Sequence, residues 1–126
     1  ETVNPAIPST LDAAALCKMA ERGQITAAVL DGPLAFDNAI SREAARTKGI
    51  HSPVAGDADI LLVPDLVSGN MLAKQLEYLG GATSSGIVLG ARVPLALTSR
   101  ADGIAARVGS ALLAQVIAHR YRDEPP

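Results

Sequence analysis

Ile60-Leu61-Leu62-Val63 is an uninterrupted apolar run that ends in the polar turn Pro64-Asp65, and this pattern decides the predicted fold. Four apolar residues in a row are typical of a strand buried on both faces, as in a parallel sheet covered by helices. A second run, Val93–Thr98, ends in the same way at Ser99-Arg100. Because α/β proteins bind ligands just past the carboxyl ends of such strands, both turns are candidate binding sites.

Ser99 and Arg100 together form an anion-binding pattern. The mouth of a helix presents free backbone N–H groups and the positive end of the helix dipole, and both favour a phosphate. Ser99 adds a hydroxyl, and Arg100 adds a planar cation that can hold a phosphate through two hydrogen bonds. The pair therefore predicts the anion-binding corner of an enzyme.

The composition indicates one domain with an aliphatic core. The 126 residues are 48% hydrophobic, whereas Phe, Tyr and Trp together make up only 2%, so Ala, Val, Leu and Ile must fill the core. These residues are the usual filling between helices and a parallel sheet. The net charge of −2, the 11 scattered Lys and Arg residues and the scarcity of aromatic rings argue against nucleic acid as a partner.

Cysteine usage and hydropathy predict a cytoplasmic location. Cys17 is the only cysteine, so no disulfide forms within the chain and a reducing compartment is expected. No apolar run approaches the roughly 18 residues that a membrane span requires, so no membrane partner is expected. The polar start at Glu1 does not resemble a secretory signal, and the missing initiating methionine suggests a piece of a longer protein.

Hydrophobic periodicity and breaker residues predict alternating helices and strands. Ser9 and Asp12 form a capping pattern at the start of the first helix, and only Ala91 and Arg92 separate the last two strands. Those two strands must be antiparallel if they share one sheet, so the order predicts an α/β layered domain on a mixed sheet. The predicted helices span residues 9–22, 36–48, 70–79 and 101–119, and the predicted strands span residues 25–30, 60–63, 86–90 and 93–98. The residues expected to face the core are Leu11, Ala15 and Met19, then Phe36, Ile40 and Ala44, then Leu72, Leu76 and Leu79, and finally Ile104, Val108, Leu112 and Val116.

Four motifs in a fixed order carry a family resemblance. They are Asp31-Gly32-Pro33-Leu34-Ala35-Phe36-Asp37, Ala55-Gly56-Asp57-Ala58-Asp59, Pro64-Asp65-Leu66 with Gly69-Asn70 two residues later, and Leu97-Thr98-Ser99-Arg100. Together they resemble the carboxyl-terminal part of the phosphate acetyltransferase/phosphate butyryltransferase family, from Val3 to about His119. The chain looks most similar to the form of this domain that is fused behind an enoyl-CoA hydratase-like module.

The resemblance implies a fold and a reaction. Members of the family transfer a short acyl group between coenzyme A and inorganic phosphate, with coenzyme A as a substrate and no separate cofactor, and they usually form homodimers. Their fold has two domains with the substrate cleft between them, and it is the three-layer α/β/α mixed-sheet fold of isocitrate and isopropylmalate dehydrogenases. By this resemblance residues 1–98 are the second α/β domain, residues 99–126 are a carboxyl-terminal helix that crosses back to the first domain, and most of the first domain is missing.

The resemblance also assigns candidate catalytic residues. Ser99 matches the family serine beside the sulfur atom, and Arg100 matches the arginine beside phosphate. The alternatives are that Ser99 caps a helix and that Arg100 is a solvated residue of its first turn. Ala106 stands where the family has its proposed catalytic Asp, so Asp102 is the candidate general base. Asp102 is equally explained as a carboxylate that favours the amino end of a helix.

A second set matches the family's Pro-Asp-Leu, Gly-Asn and Lys pattern and supplies the candidate substrate-binding residues Asp65, Gly69, Asn70 and Lys74. Asp65 at a strand end would orient a hydrogen-bond donor. Asn70 would either bind substrate or cap its helix, and Lys74 would either reach an anion or face solvent. The Asp31-Gly32-Pro33 turn is interpreted as structural.

The remaining reactive residues are interpreted as structural. Cys17 lies between Leu16 and Lys18 on a predicted helix and is expected to be a small core residue, not a nucleophile. His51 and His119 are isolated from other ligand-type residues, so no metal site is predicted.

Two other functions are compatible with the sequence. In the first, the chain on its own is an inactive module that dimerises or binds a ligand, because half a cleft cannot exclude water from the reaction. Alternatively it is a relative of the decarboxylating dehydrogenases, which need clustered metal-binding carboxylates at the cleft. An activity assay beside the full-length protein tests the first alternative, and a metal-dependence test exposes the second.

Overall fold

Helices provide nearly all the regular structure of the chain, which a computed structural model describes over residues 1–123. They are α1 (Pro8–Glu21), α2 (Phe36–Ile40), α3 (Arg42–Thr47), α4 (Leu66–Tyr78) and α5 (Ile104–Asp123). The chain divides into two compact units, Glu1–Leu66 and Val67–Pro126. Residues 124–126, the end of the predicted carboxyl-terminal segment, lie outside the described residues.

The predicted mixed sheet is not confirmed, because residues 1–123 contain only one isolated β-bridge. Val88 pairs with Leu95 in the antiparallel direction, and the Val88 N–H donates to the Leu95 carbonyl at 2.8 Å. The antiparallel relation of the last two predicted strands is therefore confirmed. A strand exists only through hydrogen bonds to a neighbour, and Ile60 and Leu62 of the first apolar run are 81% and 76% exposed. Residues 25–30 and 60–63 accordingly lack strand pairing.

Helix α1 begins one residue earlier than predicted and without the expected hydroxyl cap. Its first residue is Pro8, whose fixed φ and missing N–H suit the first helical position. The Thr10 hydroxyl instead donates to the carbonyls of Asn4 and Ile7, at 3.0 and 2.8 Å. The predicted stop at Gly23 is confirmed: Gly23 has φ +71° and its N–H donates to the Ala20 carbonyl at 2.9 Å.

The second predicted helix is broken in two at Ser41. This residue has extended backbone angles (φ −121°, ψ 113°), and its hydroxyl accepts a hydrogen bond from the Ala44 N–H at 3.2 Å. A serine side chain that caps a new helix competes with continuation of the old one. The inward face also differs, because Phe36 and Ile40 are each 48% exposed.

The first unit builds its core from small residues around α2 and α3. Ala39, Ala45 and Asn38 are buried. The carbonyl of Ala39 accepts hydrogen bonds from the Gly56 and Ala58 N–H groups, both at 3.2 Å. These bonds hold the loop after α3 against the two short helices.

Gly56 is predicted to be the most restrictive glycine of this unit. Its φ is +86°, and an added Cβ would lie 2.5 Å from the Cα of Arg42. We expect Gly56→Ala to lower the free energy of unfolding by about 2–4 kcal/mol, because backbone strain and a clash with main chain add up. Gly49→Ala is the matched control: φ is +67° there, but nothing lies within 4 Å. Urea unfolding of the full-length protein measures both variants, and equal losses would contradict this account.

Helices α4 and α5 both exist as predicted, but the residues predicted to face the core are largely exposed. Helix α4 begins four residues before the expected start at Asn70, and α5 begins three residues after Ala101 and continues past His119 through Asp123. Leu76 and Leu79 are 44% and 85% exposed. The predicted inward stripe of α5 is also largely exposed, at Ile104, Val108, Leu112 and Val116.

Within the described 123 residues, no helix has both the length and the apolar character that a membrane crossing demands.

Candidate active site

The turn that carries Ser99 and Arg100 is closed by its own polar groups. The Ser99 N–H donates to Asp102 Oδ2 at 2.7 Å, and the Asp102 N–H donates to the Ser99 carbonyl at 3.2 Å. Ser99 Oγ also accepts from the Ala101 N–H at 3.3 Å. Because α5 begins only at Ile104, Ser99 stabilises this turn and does not cap the helix. Both Ser99 and Arg100 are exposed, so their side chains are accessible to a ligand.

Arg107, which the sequence analysis missed, holds the same turn from the first part of α5. Its Nε donates to the Asp102 carbonyl at 3.0 Å, and its Nη2 donates to the carbonyls of Ser99 and Arg100 at 3.2 and 3.4 Å. One planar guanidinium thus satisfies three carbonyls of four consecutive residues, a use that its fork of donors permits. The sequence contains no motif for this role.

Loss of Arg107 is expected to loosen the turn. Arg107→Ala removes three hydrogen bonds, each worth about 0.5–1.5 kcal/mol. We therefore expect hydrogen exchange at the amides of residues 99–102 to accelerate roughly tenfold in the full-length protein. Arg122→Ala, near the end of the same helix, is the control and should leave this exchange unchanged. Unchanged exchange in Arg107→Ala would show that the turn holds its shape without the guanidinium.

A cleft of about 220 Å³ lies within the second unit, next to this turn. Its lining includes the charged residues Lys74 and Glu77 of α4 and Asp102, together with the hydroxyl residues Tyr78, Thr83 and Ser84. Ala106 lies in its wall as well. The position that the family resemblance assigns to a catalytic Asp is therefore part of the cleft, and the carboxylates lining it here are Glu77 and Asp102.

The charged groups of the cleft are linked to one another. Lys74 Nζ lies 2.6 Å from Glu77 Oε2 and 4.0 Å from Asp102 Oδ1. The hydrogen bond from Lys74, and a second one from the Ser84 hydroxyl, lower the pKa of Glu77. The hydrogen bond to Glu77 in turn raises the pKa of Lys74. Both groups are thus charged at neutral pH.

The structure brings some of the predicted site residues together and leaves others apart. Lys74 and Asp102 line the cleft, and the turn that carries the predicted catalytic pair directly precedes the lining residues 101–103. Gly69 and Asn70 lie on the exposed or half-buried surface of α4 and do not line the cleft. Asn70 is the fifth residue of α4, so the interpretation that it caps this helix is wrong. Asp65 belongs to the first unit and directly precedes α4.

Glu77 and Ser84 are cleft residues that the sequence analysis did not predict. The spacing of Lys74 and Glu77 was available, because residues three apart on a helix are neighbours. Ser84 had no signal, because its contact depends on the path of the chain after α4.

The acidic residues of the first motif have structural contacts. Asp31 Oδ1 accepts a hydrogen bond from the Gly32 N–H at 2.9 Å, as expected for a turn. Asp37 pairs with Lys48 at 2.9 Å, and the hydrogen bond from this lysine lowers the pKa of Asp37.

Cys17 is half-buried, and its thiol donates to the Gly32 carbonyl at 3.7 Å. Burial raises the pKa of this thiol, which makes Cys17 a poor nucleophile at neutral pH.

Side chains that could ligate a metal ion do not cluster in the part of the chain that the structure describes. Residues 1–123 contain no group of three or more His, Cys, Asp and Glu residues able to hold a metal ion.

Comparison with known proteins decides the family. Residues 1–115 match the model of the phosphate acetyl/butaryl transferase family. The chain belongs to this family. The match covers every residue of the cleft and of the turn that precedes it.

Curated relatives agree with this assignment. A phosphate acetyltransferase of Rickettsia prowazekii is 74% identical over 117 residues, which are 93% of this chain and 33% of the relative. A phosphate acetyltransferase of Rhizobium meliloti is 66% identical over 122 residues, 97% of this chain and 39% of the relative. A phosphate butyryltransferase of Clostridium acetobutylicum is 49% identical over 118 residues, 94% of this chain and 40% of the relative. The chain thus spans between a third and two fifths of the length of these family members.

A solved structure shows that the fold is shared. A branched-chain phosphotransacylase from Enterococcus faecalis V583 superposes with a TM-score of 0.80 at 38% sequence identity. The similarity covers 94% of this chain and 42% of that protein. The fold of this chain is therefore similar to part of a phosphotransacylase.

Proposed function

We propose that the full-length protein transfers a short acyl group between coenzyme A and inorganic phosphate, and that this chain supplies part of the active site. The observation that carries the proposal is the family match over residues 1–115, which contains an exposed Ser99-Arg100 turn beside a cleft with two carboxylates and a lysine.

The proposed chemistry is direct attack of one substrate on the other. The sulfur of coenzyme A attacks the carbonyl carbon of an acyl phosphate, the carbon–sulfur bond forms, and the bond to the phosphate oxygen breaks. The thiol must lose its proton to attack, and at neutral pH it is mostly protonated because a free thiol has a pKa of about 8.5. Asp102 is the proposed acceptor of that proton, since its carboxylate lines the cleft.

The turn supplies the groups that stabilise developing charge. The Ser99 hydroxyl is proposed to lie beside the sulfur, and the Arg100 guanidinium to bind the leaving phosphate through two hydrogen bonds. Both side chains are exposed and belong to a turn that internal hydrogen bonds hold in shape. Asp65, Gly69, Asn70 and Lys74 are proposed to contact the substrates.

The domain arrangement is also a proposal. We infer that residues 1–98 form the second domain of the enzyme, with a mixed sheet in a three-layer α/β/α arrangement, and that residues 99–126 cross back to the first domain. The exposed apolar stripe of α5 supports this, because Ile104 and Val116 at 81% and 66% exposure require a covering surface. Homodimer formation and a cytoplasmic location belong to the same proposal.

An assay of the full-length protein tests this function. Acyl-CoA and phosphate should yield acyl phosphate, detected as a hydroxamate, together with an equal amount of free thiol. Failure to form acyl phosphate from acetyl-, butyryl- and branched-chain acyl-CoA would refute the proposal.

A second candidate function applies to the chain on its own, as an inactive module that dimerises or binds a ligand. The observation in its favour is the large exposed apolar surface, which includes Leu66 and Leu79 at 85% each. The same assay on residues 1–126 decides: turnover would refute the second candidate, whereas dimer formation or ligand binding without turnover would support it.

A further inference from the structure

Glu77 is a half-buried charged side chain of the cleft that is held at both ends of its carboxylate. Both of its carboxylate oxygens are used: Oε2 pairs with Lys74 Nζ at 2.6 Å, and Oε1 accepts a hydrogen bond from the Ser84 hydroxyl. Its side chain is only 18% exposed. The carboxylate therefore links helix α4 to the loop that follows it.

A second ion pair of the same spacing shows what is special about this one. Lys18 and Glu21 are also three residues apart on a helix, but their side chains are 60% and 63% exposed. Water and salt screen such a pair, so it contributes little. The Lys74–Glu77 pair is less screened and has a third partner, so it holds its geometry better.

The Lys74 ammonium that pairs with Glu77 lies near Asp102, the proposed proton acceptor. Lys74 Nζ is 4.0 Å from Asp102 Oδ1. The other oxygen of this carboxylate, Oδ2, accepts a hydrogen bond from the Ser99 N–H at 2.7 Å. The contacts therefore run from Ser84 through Glu77 and Lys74 to Asp102, and from there to the turn that carries Ser99 and Arg100. A flexible lysine stem gains a defined position only when its charge is tethered.

We propose that Glu77, anchored by Ser84, is a positioning residue that holds the Lys74 ammonium beside Asp102 in the cleft. This role rests on the proposed function, since it assigns Lys74 and Asp102 to acyl transfer. Glu77 touches neither substrate in this proposal; it acts through Lys74.

The first test measures the position of Lys74 without any assay of turnover. The full-length protein is treated with acetic anhydride, and the rate of acetylation at Lys74 is followed by peptide mass spectrometry. Glu77→Gln and Ser84→Ala should each raise this rate roughly threefold to fivefold, because the amine is released from its tether. Ser84→Thr keeps the hydroxyl and should restore the normal rate. An unchanged rate in both Glu77→Gln and Ser84→Ala would overturn the proposal.

The second test asks whether Glu77 acts through Lys74. Glu77→Gln should lower kcat/KM about tenfold, as expected when a catalytic group is misplaced slightly. If Glu77 acts only through Lys74, the double variant K74A/E77Q should be no slower than K74A alone. Multiplied losses in the double variant would overturn the proposal. Glu21→Gln, at the exposed pair, serves as the control with unchanged kinetics.

The two tests separate the positioning role from the proposed function. If the unmodified full-length protein forms no acyl phosphate, the function fails, and the acetylation rates still decide whether Glu77 holds Lys74. If it is active and Lys74 acetylation does not respond to Glu77→Gln or Ser84→Ala, the positioning role alone fails.

Discussion

Ser99→Ala in the full-length enzyme is expected to lower kcat about 100-fold to 1,000-fold, the usual cost of removing one donor that stabilises developing charge. The Ser99 hydroxyl is exposed, and among residues 1–123 it accepts only a long hydrogen bond, from the Ala101 N–H at 3.3 Å. The two hydrogen bonds between Ser99 and Asp102 use the N–H and carbonyl of Ser99 and not its hydroxyl, so the turn should survive the substitution. The loss should therefore appear in turnover, with little change in stability.

A serine with a similar structural role provides the control. The Ser52 hydroxyl accepts hydrogen bonds from the Val54 and Ala55 N–H groups at 3.0 and 3.1 Å, and no catalytic role is proposed for it. Ser52→Ala should leave kcat unchanged. Steady-state kinetics and thermal unfolding of both variants check the prediction, and a Ser99→Ala enzyme within twofold of the normal kcat would remove this serine from the mechanism.

Arg100→Lys is expected to raise the KM for phosphate about tenfold to 100-fold while leaving the KM for coenzyme A nearly unchanged. Lysine keeps the positive charge but loses the planar pair of donors that matches two phosphate oxygens. The Arg100 side chain is exposed, whereas its carbonyl accepts from Arg107, so the substitution removes the guanidinium without removing the contact that holds the turn.

The same substitution at another exposed arginine tests specificity. Arg46→Lys on α3 replaces an exposed guanidinium outside the proposed site and should leave both KM values unchanged. Initial rates at varied phosphate and at varied coenzyme A separate the two constants. An equal rise in both KM values for Arg100→Lys would contradict a specific phosphate contact.

The turn at residues 99–102 could be singled out from the sequence because its hydrogen bonds join neighbours in sequence. Within this turn the Ser99 N–H and carbonyl bond to Asp102, and Lys74 follows from a motif of fixed spacing. Arg107, by contrast, reaches this turn only because α5 begins at Ile104, three residues later than the periodicity indicated. A shift of that size rotates a helix by most of a turn and changes which side chains face the preceding loop.

The sequence by itself determined which parts of the chain are helical, the stop at Gly23 and the order of the motifs, because periodicity and turn chemistry act over a few residues. It did not determine where α4 and α5 begin or that the second predicted helix breaks at Ser41. Only the tertiary structure decided whether the predicted strands pair and which faces of the helices are exposed. Ile60 and Leu62 have the composition of a buried strand but lie exposed, since a strand requires a partner that no local preference can supply. The link from Ser84 through Glu77 to Lys74 likewise exists only because the chain returns to α4 after leaving it.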